Sequence, residues 1–371
     1  MKTLSCFAAK IKGKDLKKFF SGFYFDRVLF VGEAIVFLEK KTSGRTGLLV
    51  NILLLVMACI SCVVAGEMVL RVFFSEKIYA EYGGGPGGLR FLKQVKYNSF
   101  GYRDVERSMS KDPETVRMVV IGDSFTFGSG IDSPEDVYTR LLERKLNETG
   151  SSNKFEVINL GLSTYSTRDE LDVLHKLGLK LHPDVVVLGY FINDAEGPHS
   201  TARFEEMFSP RYLIPARIKN WLYSRSFMYY FLASRLNNIN RAVIFKGKSY
   251  EDYLVYLYSD ANPDFSEHKT CLAQFINTCT EKGIAVIVVN IPLINNFERY
   301  PFSYVNRYIQ DIAVSNGAMY VDLLSHFSAY DPKELRVSFL DGHMNKLAHK
   351  ITAEVLCKTL QEKRIIPGLV Q

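Results

Sequence analysis

Cysteine is scarce in this sequence, six among 371 residues, and tryptophan occurs once. Cys6 lies near the start, and Cys59 and Cys62 fall in an apolar run. Cys271, Cys279 and Cys357 remain, an odd number for the rest of the chain. Cys271 and Cys279 are eight apart on an expected helix, roughly 12 Å along its axis, too far to bridge. The pattern excludes a disulfide scaffold, and these three thiols form no C-x-x-C metal pair. Also missing are a three-residue glycine period and any repeat of 20–50 residues, which excludes collagen-like and solenoid folds. There is no G-x-x-x-x-G-K-[ST] phosphate loop and no histidine–carboxylate cluster at ligand spacing, so neither cofactor nor metal is expected. With 47% hydrophobic residues the chain is not of the disordered class.

The net charge of +6 is unevenly spread. Residues 1–46 hold ten Lys/Arg and four Asp/Glu, which leaves 36 of each sign in residues 47–371. A basic head on a neutral body fits an anionic surface near the head and argues against a body that tracks nucleic acid.

From Gly47 to Gly66 the chain reads GLLVNILLLVMACISCVVAG, twenty residues without a charge. As a helix this run is roughly 30 Å long, the thickness of a bilayer's hydrocarbon core. Lys40, Lys41 and Arg45 precede it, whereas acids and bases are mixed after it. The positive-inside rule therefore predicts a cytoplasmic head (1–46), a transmembrane helix (47–66) and an exported body. A 46-residue head is too long for an ordinary signal-peptide n-region, so an uncleaved anchor is expected. The head's lysines and its Phe19–Leu38 stretch suit either the inner leaflet surface or a loose tail.

Residues 67–96 read as a juxtamembrane segment with a flexible break at Tyr82–Gly88 (YGGGPGG). Residues 97–371 read as one α/β domain. Val116–Ile121, Phe155–Asn159, Asp184–Leu188, Ile284–Asn290 and Ala318–Asp322 are short apolar, β-branched runs, as parallel strands covered on both faces require. Helical patterns alternate with them at Pro134–Glu148, Thr167–Leu177, Phe265–Lys282, Tyr304–Ser315 and Asn345–Glu362. That alternation predicts a doubly wound parallel sheet, whose sites form at the C-terminal ends of strands. The interval 195–263 breaks the rhythm as an aromatic and basic insertion; residues 201–250 carry nine Lys/Arg against two Asp/Glu. Such an insertion either shapes access to a site or packs its aromatics on the sheet.

The strand ends carry Gly122-Asp123-Ser124, then Asn159-Leu160-Gly161, then Gly189-Tyr190-Phe191-Ile192-Asn193-Asp194, and finally Asp341-Gly342-His343 before the last helix. In these four blocks the chain resembles the SGNH (GDSL-like) hydrolases, over roughly Tyr97 to Leu360. Asn98–Asp104 (NSFGYRD) also looks like the lead-in of membrane-anchored bacterial members. The resemblance implies a flavodoxin-like five-stranded sheet in the order 2-1-3-4-5.

It also implies roles that chemistry supports. Ser124 would be the nucleophile, activated by His343 as base, with Asp341 fixing the imidazole tautomer. The Ser124 and Gly161 N–H groups and the Asn193 amide would form the oxyanion hole. The family's usual aspartate lies three residues before the histidine, where this chain has Leu340. Asp341 is one residue nearer, which leaves a Ser–His pair oriented by a backbone carbonyl as the alternative. His326 is a rival base, His349 reads as structural, and Asp123 and Asp194 read as loop ties. The expected function is a membrane-anchored serine esterase acting outside the cytoplasmic membrane on acyl esters, of lipids or acylated glycans. The alternatives are an O-acyltransferase acting on a cell-envelope glycan and a catalytically silent binding module.

Overall fold

The computed structural model of the protein describes residues 45–73, 95–208 apart from 152, 249–337 and 341–365 apart from 364; of 209–248 it describes 218, 221–222 and 225–233. Nearly all of the basic head and the Tyr82–Gly88 break lie outside the described residues.

The uncharged run forms helix α1 (Arg45–Phe73), of which Leu48–Val72 is long and apolar enough to cross a membrane, with a mean hydropathy of 2.8 in its most apolar stretch. It continues past the expected end at Gly66. One helical glycine costs only about 1 kcal/mol, and Met68, Val69, Leu70, Val72 and Phe73 keep the chain apolar beyond it. The chain divides into two compact units, Met1–Val69 and Leu70–Gln371, and the second holds every element that follows.

In that unit five parallel strands form one sheet in the order β2-β1-β3-β4-β5. Strand β1 (Thr115–Gly122) leads into a one-turn helix, α2 (Ser124–Phe127), and then α3 (Tyr138–Asn147). Next come β2 (Lys154–Asn159), α4 (Thr167–Lys176) and β3 (Val185–Phe191). The insertion contributes α5 (Pro198–Phe208) and α6 (Tyr250–Leu257); α7 (Asp264–Thr280), β4 (Ala285–Ile291), α8 (Ser303–Ser315), β5 (Met319–Asp322) and α9 (Lys346–Glu362) follow.

Helix α3 packs with α9, while α4 packs with α7 and α7 with α8. Right-handed crossovers in this strand order put the first pair on one face and the other three on the opposite face. Sandwiched between them, β3 is buried at all seven positions. Cys271 and Cys279 are free, buried thiols on α7.

Strand β3 runs three residues beyond the expected Leu188, because Gly189, Tyr190 and Phe191 still pair with β4. The expected Pro134–Glu148 helix is divided: a single turn at Pro134–Asp136 is capped by the Ser133 hydroxyl, and Val137 is extended before α3 begins. The loops after β2, β1 and β3 thus leave the C-terminal edge of the sheet beside one another.

Candidate active site

Ser124 opens α2 immediately after β1. Asp123 caps this turn, its Oδ1 accepting the Phe125 N–H at 2.9 Å, and Gly128 ends it in the left-handed region at φ 79°. The turn lies directly on the sheet. A Cβ on Gly189 would come 2.3 Å from Thr126 Oγ1, and one on Gly161 would come 2.6 Å from the Phe127 nitrogen. Only glycine permits approach this close. Thr126 is further held by a 2.8 Å hydrogen bond between its hydroxyl and that of Tyr138.

His343 lies 219 residues further along the chain. Its carbonyl accepts the Val337 N–H at 2.9 Å, and the Asn345 N–H donates to the Leu335 carbonyl at 2.8 Å, so a short antiparallel contact fixes the segment. Asn345 then caps α9, accepting the Leu347 and Ala348 N–H groups at 3.0 and 3.1 Å. Within this frame His343 Nε2 lies 2.9 Å from Ser124 Oγ, and His343 Nδ1 lies 2.5 Å from Asp341 Oδ1. The same Asp341 oxygen accepts the His343 backbone N–H at 3.1 Å, so the two-residue spacing closes a tight turn around the carboxylate. An ionised carboxylate only accepts, so Nδ1 carries the proton and the Nε2 lone pair faces the serine hydroxyl. Phe125 packs against the imidazole, with ring centroids 4.9 Å apart.

Burial pulls the His343 pKa down, but the hydrogen bond and charge of Asp341, with the Asp123 charge, outweigh it and leave the pKa raised. Burial pushes Asp341 up, and the hydrogen bond and charge of His343 more than reverse this, holding its pKa below the usual carboxylate value.

Gly161 lies beneath the turn, but its N–H donates to Asn159 Oδ1 at 2.8 Å. Asn193, on the turn after β3, buries its Oδ1 without a hydrogen-bond partner among the described residues. His349 is fully buried, accepts the Tyr138 N–H at 3.3 Å, and is pushed by burial down to about 3. His326 is exposed on the turn after β5, and the ring that meets Ser124 is that of His343. Asp194 ties its loop through the Phe191 N–H at 2.8 Å.

Several residues around the site support it without an evident chemical role of their own. Arg103 is 3% exposed, and its guanidinium donates to the carbonyls of Phe127 (3.2 Å), Gly128 (2.6 Å), Asp132 (3.2 Å) and Ile131. It thereby grips the chain leaving α2. Asp104 accepts the Asn159 N–H at 3.2 Å, and Asn159 Nδ2 donates to the Thr126 carbonyl at 2.8 Å. The NSFGYRD segment and Asn159 thus form a frame behind the serine; the only signal in the sequence was the motif itself.

Three carboxyl groups, Asp123, Glu170 and Asp194, are fully buried and interact electrostatically. Burial pushes Asp123 up to about 6, against hydrogen bonds from Phe125 and Ser124 and the His343 charge. Burial and the neighbouring carboxylates push Glu170 and Asp194 well above the carboxylate range. Both Glu170 oxygens and Asp194 Oδ1 lack hydrogen-bond partners among the described residues.

Two clefts open at this edge of the sheet. One, of 390 Å³, is bordered by Thr164, Asp194 and Glu196, on the segments that continue from Gly161 and Asn193, and by Thr167 and Asp264 at the starts of α4 and α7. The other, of 360 Å³, includes Gly342, between Asp341 and His343. Among the described residues no three metal-ligating side chains are grouped to hold an ion.

No curated protein sequence matches the chain significantly. Among solved structures it is similar to TesA, at 16% identity over 67% of this chain and 99% of that one, with a TM-score of 0.40. It is also similar to the lipase/acylhydrolase from Enterococcus faecalis, at 15% identity over 68% and 98%, TM-score 0.39. The acetyl xylan esterase AlAXEase aligns at 17% identity over 66% and 100%, TM-score 0.40. A family model matches residues 120–351, more than half of the chain, and its span takes in Ser124, Gly161, Asn193 and His343. The chain therefore belongs to the GDSL-like lipase/acylhydrolase family.

Proposed function

We propose that this protein is a membrane-anchored serine esterase that hydrolyses acyl esters outside the cytoplasmic membrane. The observation that carries the reading is the relay from Ser124 Oγ to His343 Nε2 at 2.9 Å and from His343 Nδ1 to Asp341 at 2.5 Å. A serine hydroxyl attacks an ester only as a base removes its proton. In this reading Ser124 Oγ bonds to the carbonyl carbon while its proton passes to His343 Nε2, and Asp341 stabilises the imidazolium. The tetrahedral intermediate then expels the alcohol, which takes the proton from His343, leaving the acyl group on Ser124. Water attacks that ester by the same route, releasing the carboxylic acid and restoring the hydroxyl.

The oxyanion needs donors. Asn193 suits this task because its Oδ1 is the buried end of the amide. The Ser124 N–H stands at the start of a helical turn. The Gly161 N–H would have to share its proton with Asn159 Oδ1. The apolar length of α1 supports anchoring, and the basic residues before it support a cytoplasmic N-terminus.

The test is fluorophosphonate labelling of the detergent-solubilised full chain, alongside turnover of 4-nitrophenyl acetate. Labelling at Ser124, lost in Ser124→Ala with a fall in kcat on the order of 10⁵-fold or more, is expected. A folded protein that takes no label and turns over no ester ends the proposal.

A further inference from the structure

The uncharged run of α1 ends at Gly66, and Arg71 follows five residues later, in the last turn of the helix. At 1.5 Å per residue that is roughly 7.5 Å farther along the axis. The headgroup layer of a bilayer adds about 5–7.5 Å to each side of the hydrocarbon core. With α1 across a membrane, Arg71 therefore stands at headgroup depth, and whatever touches it stands there too.

The insertion touches it. Arg71 Nη2 donates to the Arg225 carbonyl at 2.6 Å, and its guanidinium lies 5.4 Å from the centre of the Phe227 ring. Tyr230, three residues on in the same helical stretch as Phe227, is buried, so this part of the insertion is packed.

The side chains exposed just before it have the chemistry of a membrane interface. Trp221 is 55% exposed, with the Arg225 guanidinium 5.4 Å from the centre of its ring. Ile218 is also helical and is 52% exposed. Spacings of three and four residues put Ile218, Trp221 and Arg225 on one side of a helix. An indole has an apolar body and a polar N–H, and arginine an apolar stem and a charged head, so both fit a layer that is oily below and wet above. The charge agrees with the depth. Between Glu206 and Glu251 the sequence has eight Lys/Arg and no Asp or Glu, which complements anionic lipid headgroups. An acidic glycan would meet the charge but leave Ile218 and Trp221 in water, and the bilayer surface is the partner that α1 itself brings to this level.

We propose that Ile218, Trp221 and Arg225 form a docking face for the phospholipid surface from which α1 emerges, with Trp221 among the glycerol groups and upper acyl chains and Arg225 on lipid phosphates. This rests on the reading of α1 as a membrane span and is independent of the ester chemistry. It gives the basic, aromatic insertion a task, a second attachment to the bilayer besides α1.

Trp221 is the only tryptophan of the chain, so the fluorescence of the unmodified protein reads this face. The full chain is reconstituted in vesicles of phosphatidylcholine and phosphatidylglycerol, the phosphatidylcholine being brominated either just below the glycerol or near the ends of its acyl chains. Bromine quenches tryptophan only near contact. Emission should fall about twofold or more with the shallow label and by less with the deep one, since interfacial side chains penetrate about 5–10 Å. Replacing the phosphatidylglycerol by unbrominated phosphatidylcholine should weaken the shallow quenching, and equal quenching in both would overturn the part given to the cations. Ile218→Asp, which sets a carboxylate on the same face, should restore about half of the lost emission. Undiminished emission from protein that stays with the vesicles through alkaline carbonate washing overturns the docking face alone. Protein that washes off refutes the membrane span, and this inference falls with it.

Discussion

Asp123 Oδ2 accepts a hydrogen bond from the Ser124 hydroxyl at 3.2 Å, so the candidate nucleophile has a second acceptor besides His343. Asp123 is fully buried, and its negative charge is one of the influences raising the His343 pKa. Asp123→Asn keeps the shape and removes the charge. The acid limb of kcat/KM should move to lower pH in this variant. A midpoint that does not move would show that Asp123 only shapes the turn.

A base at His343 must be neutral to accept the serine proton, and the His343 pKa is raised above its ordinary 6.5. The wild-type acid limb should therefore have its midpoint above 6.5, with activity lost as pH falls through it. Asp341→Asn removes the largest influence holding that pKa up. Its limb should shift downward, and kcat should fall on the order of 10³- to 10⁴-fold. Hydrolysis equally fast at pH 5 and pH 8 would contradict His343 as base.

Glu170 offers a stability test. Its folded pKa lies well above the ordinary 4.5, chiefly because it is buried. The folded state thus binds this proton more tightly than the unfolded state. The resulting stabilisation is complete below pH 4.5 and drains away as pH rises towards the folded pKa, at about 1.4 kcal/mol per unit. Glu170→Gln removes this drain. Between pH 5 and pH 8 the wild-type Tm should fall further than that of the variant; parallel Tm curves would refute it.

Gly161→Ala should displace the nucleophile turn, because its Cβ would sit 2.6 Å from the Phe127 nitrogen and 2.7 Å from the Thr126 carbonyl carbon, both backbone atoms. Overpacking of this kind costs about 1–3 kcal/mol. Denaturant midpoints should register that loss and fluorophosphonate labelling should slow, whereas an unchanged labelling rate would mean the turn does not depend on this approach.

Arg103→Gln should leave the carbonyls beyond α2 poorly met. Leaving a buried carbonyl without its donor costs about 1–3 kcal/mol. For the protein that still folds at 15 °C, kcat should fall at least tenfold with KM little altered, since Arg103 acts through the position of Ser124. A proportional rise in KM instead would place Arg103 in substrate binding.

Much of the fold was legible in the residues themselves. Val116–Ile121 and Ile284–Asn290 are largely apolar, β-branched runs that are stable only when covered on both sides, and each lies within a residue or two of the observed strand. Gly189-Tyr190-Phe191 read as a loop because glycine and aromatics lack the β-branched signature, yet the pairing of β3 with β4 extends the strand through them. Val137 broke an expected helix because the Ser133 and Pro134 turn ends one residue before it. Gly66 looked like a helix end and was not, since Met68, Val69, Leu70, Val72 and Phe73 continue a largely apolar helix beyond it.

By itself the sequence determined an apolar helix long enough to cross a membrane, the alternation of strands and helices, and the residue types that can carry acyl transfer. These are local properties: charge, periodicity and side-chain chemistry over a few neighbouring residues. Only the tertiary structure decided that Asp341, not a backbone carbonyl, meets His343, that the Gly161 N–H is already engaged by Asn159, and that Arg103 grips the chain behind Ser124. Those facts depend on distances between groups up to 219 residues apart, which packing of the sheet and its helices sets and no local pattern encodes.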